Sequence, residues 1–238
     1  MKIAMWSGPR NLSTAMMYSF GARADCAVWD EPFYAAYLDM TGLEHPMRDK
    51  ILAAGETDAA KVAARLTGPH PEGKPHFYQK HMTQHMIDGV DRGWMKQVKN
   101  VFLIRHPARV IASYAAKRDN PTLDDIGFWQ QAELFDACDD PIVIDSHDIR
   151  ENPEGMLRAL CAALDLPFDP AMLSWSAGGH NDDGAWAPHW YGAVHNSTGF
   201  AGVEGPLPDM KGAYSELTEQ ALPFYRKLTA CKIALPRT

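Results

Sequence analysis

Lys2-Ile3-Ala4-Met5-Trp6-Ser7-Gly8-Pro9-Arg10-Asn11-Leu12-Ser13-Thr14 decides how the rest of the chain is read. Five residues of strand character lead into a tight loop. Ser13 and Thr14 then open the helical run Ala15-Met16-Met17-Tyr18-Ser19-Phe20. A helix that begins just beyond a parallel strand turns its unpaired amides, and the positive end of its dipole, away from the sheet. That end suits a phosphate. Arg10 adds a forked cationic donor, and Ser13 and Thr14 add hydroxyls, so residues 8–14 read as an anion-binding loop rather than a plain capped turn. The loop differs from a Walker A motif, which needs Lys followed by Ser or Thr; here the basic residue precedes Asn11-Leu12. Ile142-Val143-Ile144-Asp145 has the form of a strand ending in a metal-binding Asp, but without that Lys an ordinary Mg-ATPase reading is weak.

Outward from this loop, short apolar runs alternate with longer segments of helical period, the pattern of βα units and a parallel sheet. Strands are expected at 2–6, 26–29, 76–80, 100–104 and 141–145, each short and bounded by polar or turn residues. Pro107 stands where a first helical residue belongs. Thr122 and Asp125 have capping-box spacing and open a helix through Leu134. Asn152-Pro153-Glu154 starts a helix with Met156, Leu157, Leu160, Cys161 and Leu164 on its buried side. A last helix is expected from about 215 to 230, kinked or split by Pro223. Periodicity disappears over 174–209, which is rich in Gly, Trp, His and Asn and reads as an irregular loop or lid. With no linker and no repeat, residues 1–238 are expected to form a single α/β domain, a mainly parallel sheet of about five strands flanked by helices in three layers.

Composition narrows the function. The chain has 238 residues, 46% hydrophobic and 22% charged, which excludes disordered and fibrous classes. A net charge of -7 argues against nucleic-acid binding, while leaving room for a local site for a small anion. Four scattered cysteines form no CxxC pair, so neither a zinc site nor a disulfide framework is expected. Neither a signal-peptide pattern nor a membrane-length apolar stretch is present, and the expected location is cytoplasmic.

A second basic element lies in Val101-Phe102-Leu103-Ile104-Arg105-His106-Pro107-Ala108-Arg109-Val110-Ile111-Ala112-Ser113-Tyr114. Arg105 falls at a strand end and Ser113 about two turns into the next helix, so the two can converge on a second phosphate. At this point the sequence resembles the sulfotransferase family, which transfers a sulfuryl group from 3′-phosphoadenosine 5′-phosphosulfate. Pro9-Arg10-Asn11-Leu12-Ser13-Thr14 is similar to that family's 5′-phosphosulfate loop, with Leu12 where the family carries Gly. Arg105 and Ser113 match its 3′-phosphate pair, and Ile142 to Phe168 resembles a third segment in the same order. The resemblance implies a P-loop-NTPase-like sheet and this nucleotide as co-substrate, held by Arg10, Asn11, Leu12, Ser13, Thr14, Arg105 and Ser113, with no metal. It implies a small-molecule acceptor with a hydroxyl or amine. The family's Gly-rich C-terminal phosphate element has no clear counterpart; Asn196-Ser197-Thr198-Gly199-Phe200 is the candidate substitute.

Sulfuryl transfer needs a base for the acceptor and positive charge on the transferring group. Arg10 fits the second role. Glu31, in Trp29-Asp30-Glu31-Pro32-Phe33, and His81, in Tyr78-Gln79-Lys80-His81, are the candidate bases, Glu31 being preferred because a lone His is more often structural. His81 and His85 lack the further ligands a metal site would need. Two other readings stand beside this one: a non-enzymatic nucleotide-binding protein of the same fold, and a phosphatase using His106 of the strand-Arg105-His106 element.

Overall fold

The computed structural model describes residues 1–118 and 120–234. β1 (Lys2–Ser7) leads through the Gly8–Leu12 loop into α1 (Ser13–Gly21) and β2 (Cys26–Asp30). Three helices, α2 (Tyr34–Thr41), α3 (Arg48–Ala54) and α4 (Ala59–Thr67), precede β3 (His76–Met82). β4 (Lys99–Ile104) is followed by α5 (Pro107–Ala115), α6 (Leu123–Ile126) and α7 (Phe128–Asp136). β5 (Ile142–Asp145) runs into α8 (Ser146–Glu151) and α9 (Pro153–Ala163). After two short helices, α10 (Ala187–Trp190) and α11 (Gly192–His195), comes α12 (Ala213–Thr229).

The five strands form one all-parallel sheet in the order β2-β3-β1-β4-β5. Both faces are covered, as the apolar strands require. Successive side chains of β1 alternate between two cores: Ile3 and Met5 meet α1, α8 and α9 residues, whereas Ala4 and Trp6 meet residues from α4, α7 and α12. This is the expected single α/β domain with helices on each side of the sheet. The chain passes from β1 to β2 on one side and returns across β1 to reach β4 on the other. The strand order therefore reverses at β1, where ligands bind in open α/β sheets.

Local structure departs from the sequence reading in several places. The helix expected from Thr122 through Leu134 is broken at Gly127, whose φ of 71° ends α6 and starts α7, although the Thr122–Asp125 capping box forms as read. The last helix, expected from about 215 to 230 and kinked or split by Pro223, is the single element α12, which contains Pro223 and is not split. Residues 34–67, unassigned from sequence, form α2, α3 and α4. The 174–209 stretch is mostly irregular but contains α10 and α11.

Candidate functional site

The carboxyl ends of the central strands open on a cavity of about 290 Å³. Its floor is the loop after β1. Gly8 passes so close under α6 that a Cβ there would lie 2.3 Å from the Ile126 carbonyl oxygen. Arg10 and Leu12 both take left-handed backbone conformations, φ 64° and 74°. Leu12 thus holds a geometry that Gly adopts freely, while its side chain packs on the sheet core. It is also the N-cap of α1, and no side chain caps the helix. The first-turn amides are left for a ligand, which is the donor set a phosphate needs. All of residues 9–14 line the cavity.

Arg105, directly after β4, and Ser113, on α5, line the same cavity. Arg10 Nε donates to Ser113 Oγ at 2.9 Å, and Arg105 Nη1 donates to the Arg10 carbonyl at 2.6 Å. Burial, and then the Arg105 charge, pull the Arg10 pKa down, so two guanidinium groups face one space. That is an arrangement for a multiply charged anion. A partner the sequence did not suggest is Glu204. Its carboxylate pairs with Arg105, with Arg109 Nε at 3.1 Å and with Arg150 Nη1 at 2.7 Å. From the candidate substitute element, Ser197 and Gly199 reach the cavity wall.

Glu31, Lys80 and Tyr191 line the same cavity and belong to a buried charge cluster. The β2–β3 register pairs Asp30 with Lys80, and Glu31 follows one residue beyond the strand. Lys80 Nζ donates to Asp30 Oδ1 at 2.9 Å, Glu31 Oε1 at 2.6 Å and the Tyr191 hydroxyl at 2.5 Å. Tyr191 in turn directs its proton at Asp30 Oδ2, 2.8 Å away, and its oxygen also accepts from Trp186 Nε1 at 2.8 Å. Burial pushes Glu31 above the ordinary carboxylate range; Lys80 opposes the shift and the neighbouring Asp30 adds to it. Burial alone would lower Lys80, but the two carboxylates more than offset it and hold the ammonium charged. Glu31 sits at φ 36°, a strained conformation for a non-glycine residue of the kind concentrated at functional sites.

The cavity therefore brings together Arg10, Asn11, Leu12, Ser13, Thr14, Glu31, Arg105 and Ser113. His81 is not among its lining residues. It points to the opposite face of β3, 2% exposed, stacked on Trp6 with ring centroids 4.5 Å apart and packed against Trp94 and Phe33. Burial pushes its pKa down to about 3. Its neighbour Lys80 takes the cavity side instead. His106 caps α5, accepting from the Ala108 amide, and packs on Tyr225 rather than lining the cavity. Asp145 likewise caps α8 and accepts from the Tyr225 hydroxyl.

Residues 1–232 match the sequence model of a family described as "Sulfotransferase domain". Two solved structures have the same fold: the sulfotransferase domain from the curacin biosynthetic pathway and that from the Synechococcus PCC 7002 olefin synthase. The first has a TM-score of 0.57 at 16% identity, covering 92% of this chain and 96% of that one. The second has a TM-score of 0.55 at 18% identity, covering 99% and 95%. Two Arabidopsis thaliana proteins, named branched-chain-amino-acid aminotransferase-like proteins 2 and 1, are 36% and 37% identical over 95% of this chain. The chain spans only 41% of the length of each. By its sequence match, and with the fold in agreement, this chain belongs to the sulfotransferase domain family.

Proposed function

We propose that the protein transfers a sulfuryl group from 3′-phosphoadenosine 5′-phosphosulfate to a hydroxyl or amine of a small acceptor. The observation that carries this reading is that one cavity is lined by the Arg10–Thr14 loop, Arg105 and Ser113 together with Glu31 and Lys80. The uncapped amides of α1 and Arg10 would hold the 5′-phosphosulfate, and Arg105 with Ser113 the 3′-phosphate. Glu31, with its raised pKa, accepts the acceptor's proton as the acceptor oxygen or nitrogen bonds to sulfur. The bond between sulfur and the phosphate oxygen breaks, and the electron pair leaves with adenosine 3′,5′-bisphosphate. Arg10 and the α1 dipole stabilise the charge on that leaving group. Lys80 holds Glu31 in place. The chemistry requires no metal.

Calorimetry with adenosine 3′,5′-bisphosphate and with Mg-ATP tests the donor assignment. The bisphosphate should bind more tightly, and Arg10→Ala and Arg105→Ala should each weaken it. Tighter Mg-ATP binding, or binding of neither, would sink the reading. For the base, Glu31→Gln should slow release of bisphosphate from the donor, in the presence of mixed phenols, alcohols and amines, by about 10²–10⁴-fold. Bisphosphate affinity should stay within about twofold, because in this mechanism Glu31 acts on the acceptor and not on the nucleotide. An unchanged rate would remove Glu31 from the mechanism.

A further inference from the structure

The Arg105–Arg109–Arg150 cluster is filled by a group from the protein itself. Glu204 is 3% exposed at its side chain, yet it lies in a stretch, 200–212, without helix or strand. Its neighbours Val203 and Leu207 are 64% and 50% exposed. Two of these arginines secure the strap at two further points: Arg150 Nε donates to the Gly202 carbonyl at 2.8 Å, and Arg109 Nη2 donates to the Gly205 carbonyl. The local attachment of residues 202–205 is thus almost wholly arginine-to-oxygen. Ser113, the other member of the expected phosphate pair, is engaged by Arg10. Arg105 Nη2 and Arg150 Nη1, two donors suited to a second phosphate, already donate to a protein carboxylate, while Ser113 Oγ accepts from Arg10.

We propose that Glu204 is a built-in stand-in for the nucleotide's second phosphate, and that donor binding requires the 202–208 strap to leave the arginine cluster. This rests on the donor reading above. Two facts favour a displaceable plug over a fixed strut. Glu204 Oε1 accepts from Arg105 Nη2 and Arg150 Nη1, the donors an incoming phosphate would have to take, and Oε2 faces Arg109 Nε as an ion pair without a hydrogen bond. The strap also buries little apolar surface that would be lost on release. Three cations against one carboxylate leave two positive charges in surplus, so a phosphate dianion competes well for the site. A protein in which only about a tenth of the molecules have the strap free binds its ligand about tenfold more weakly than its open form does.

The test compares adenosine 3′,5′-bisphosphate with adenosine 5′-phosphate on wild type and Glu204→Gln by calorimetry. The neutral amide should tighten bisphosphate binding by about tenfold while moving 5′-phosphate binding by less than about twofold. In parallel, bisphosphate should speed hydrogen exchange at amides 202–208 of the wild-type protein, a readout that holds even if the variant folds poorly. Bisphosphate binding that is unchanged or weaker in Glu204→Gln, with slower exchange in the strap, would overturn the plug and leave the donor reading intact. An equal gain for both nucleotides would mean a general charge effect and also overturns it. Failure of wild type and variant alike to bind bisphosphate would overturn both the plug and the donor reading.

Discussion

Replacing Lys80 by Met removes the one cation from the buried Asp30–Glu31–Tyr191 cluster at nearly constant volume. The wild-type ammonium makes three hydrogen bonds of 2.5–2.9 Å there and is 1% exposed. Its loss leaves two adjacent buried carboxylates with Tyr191 and the Gly184 amide as their remaining donors. Breaking a buried pair from one side costs about 3–5 kcal/mol. At about 2–4 °C per kcal/mol for a chain of this size, Tm should fall by roughly 6–20 °C. The pH dependence gives the sharper test. Without Lys80 the Glu31 pKa, already raised by burial, rises further above its unfolded value. A carboxyl with a raised folded pKa keeps its stability below the unfolded pKa and loses it as pH climbs through the folded one. The deficit should therefore be largest near pH 8 and shrink toward pH 5. Urea unfolding followed by tryptophan fluorescence at the two pH values measures it, and adding Glu31→Gln to Lys80→Met should recover more than about 1 kcal/mol. A deficit below about 1 kcal/mol at pH 8, or one that grows on acidification, would refute the buried-charge argument.

Two other substitutions probe the site's supports. Gly8→Ala should cost about 1–3 kcal/mol, because its Cβ meets the Ile126 carbonyl, and should weaken bisphosphate binding as the loop shifts; calorimetry and thermal melts read both. His81 titrates at about 3 in the folded protein against an ordinary 6.5, so its contribution is present above 6.5 and drains as pH falls toward 3. His81→Phe, which keeps the stack on Trp6, should flatten the acid loss of stability by about one proton, or about 1.4 kcal/mol per pH unit. An unaltered slope in urea unfolding between pH 6 and 4 would refute that assignment.

The parts of the site legible in the sequence are those set by local order. A strand, a loop with Arg10, and a helix opening at Ser13 are contiguous, so the pattern and the geometry coincide. Arg105 and Ser113 were legible for the same reason, one strand end and two helical turns apart. Lys80 and His81 were harder. Adjacent strand residues face opposite sides of a sheet buried on both, and nothing in Gln79-Lys80-His81 says which side opens on the ligand. Glu204 lies 99 residues from Arg105 in a Gly- and Pro-rich stretch, where an ion pair leaves no periodic trace. α2 escaped because Tyr34, Ala35, Ala36 and Leu38 are buried together, giving an apolar run without a clear polar face. α4 did carry a signal: Asp58 caps it through the Ala60 and Lys61 amides, with Val62 and Leu66 four apart on its buried side.

Tyr191 belongs to the segment 190–201 that lines the cavity as its roof, yet its hydroxyl is a full member of the Asp30–Glu31–Lys80 cluster. The roof and the proposed base are therefore one electrostatic unit. Raising the roof lets water reach the carboxylates and lets the Glu31 pKa relax toward that of a free side chain. The proton taken from an acceptor would then pass to solvent as the chamber opens. Under the proposed mechanism, grafting a roof from another member of the family would change acceptor fit and retune the base in the same step, so substrate range and base strength would be inherited together.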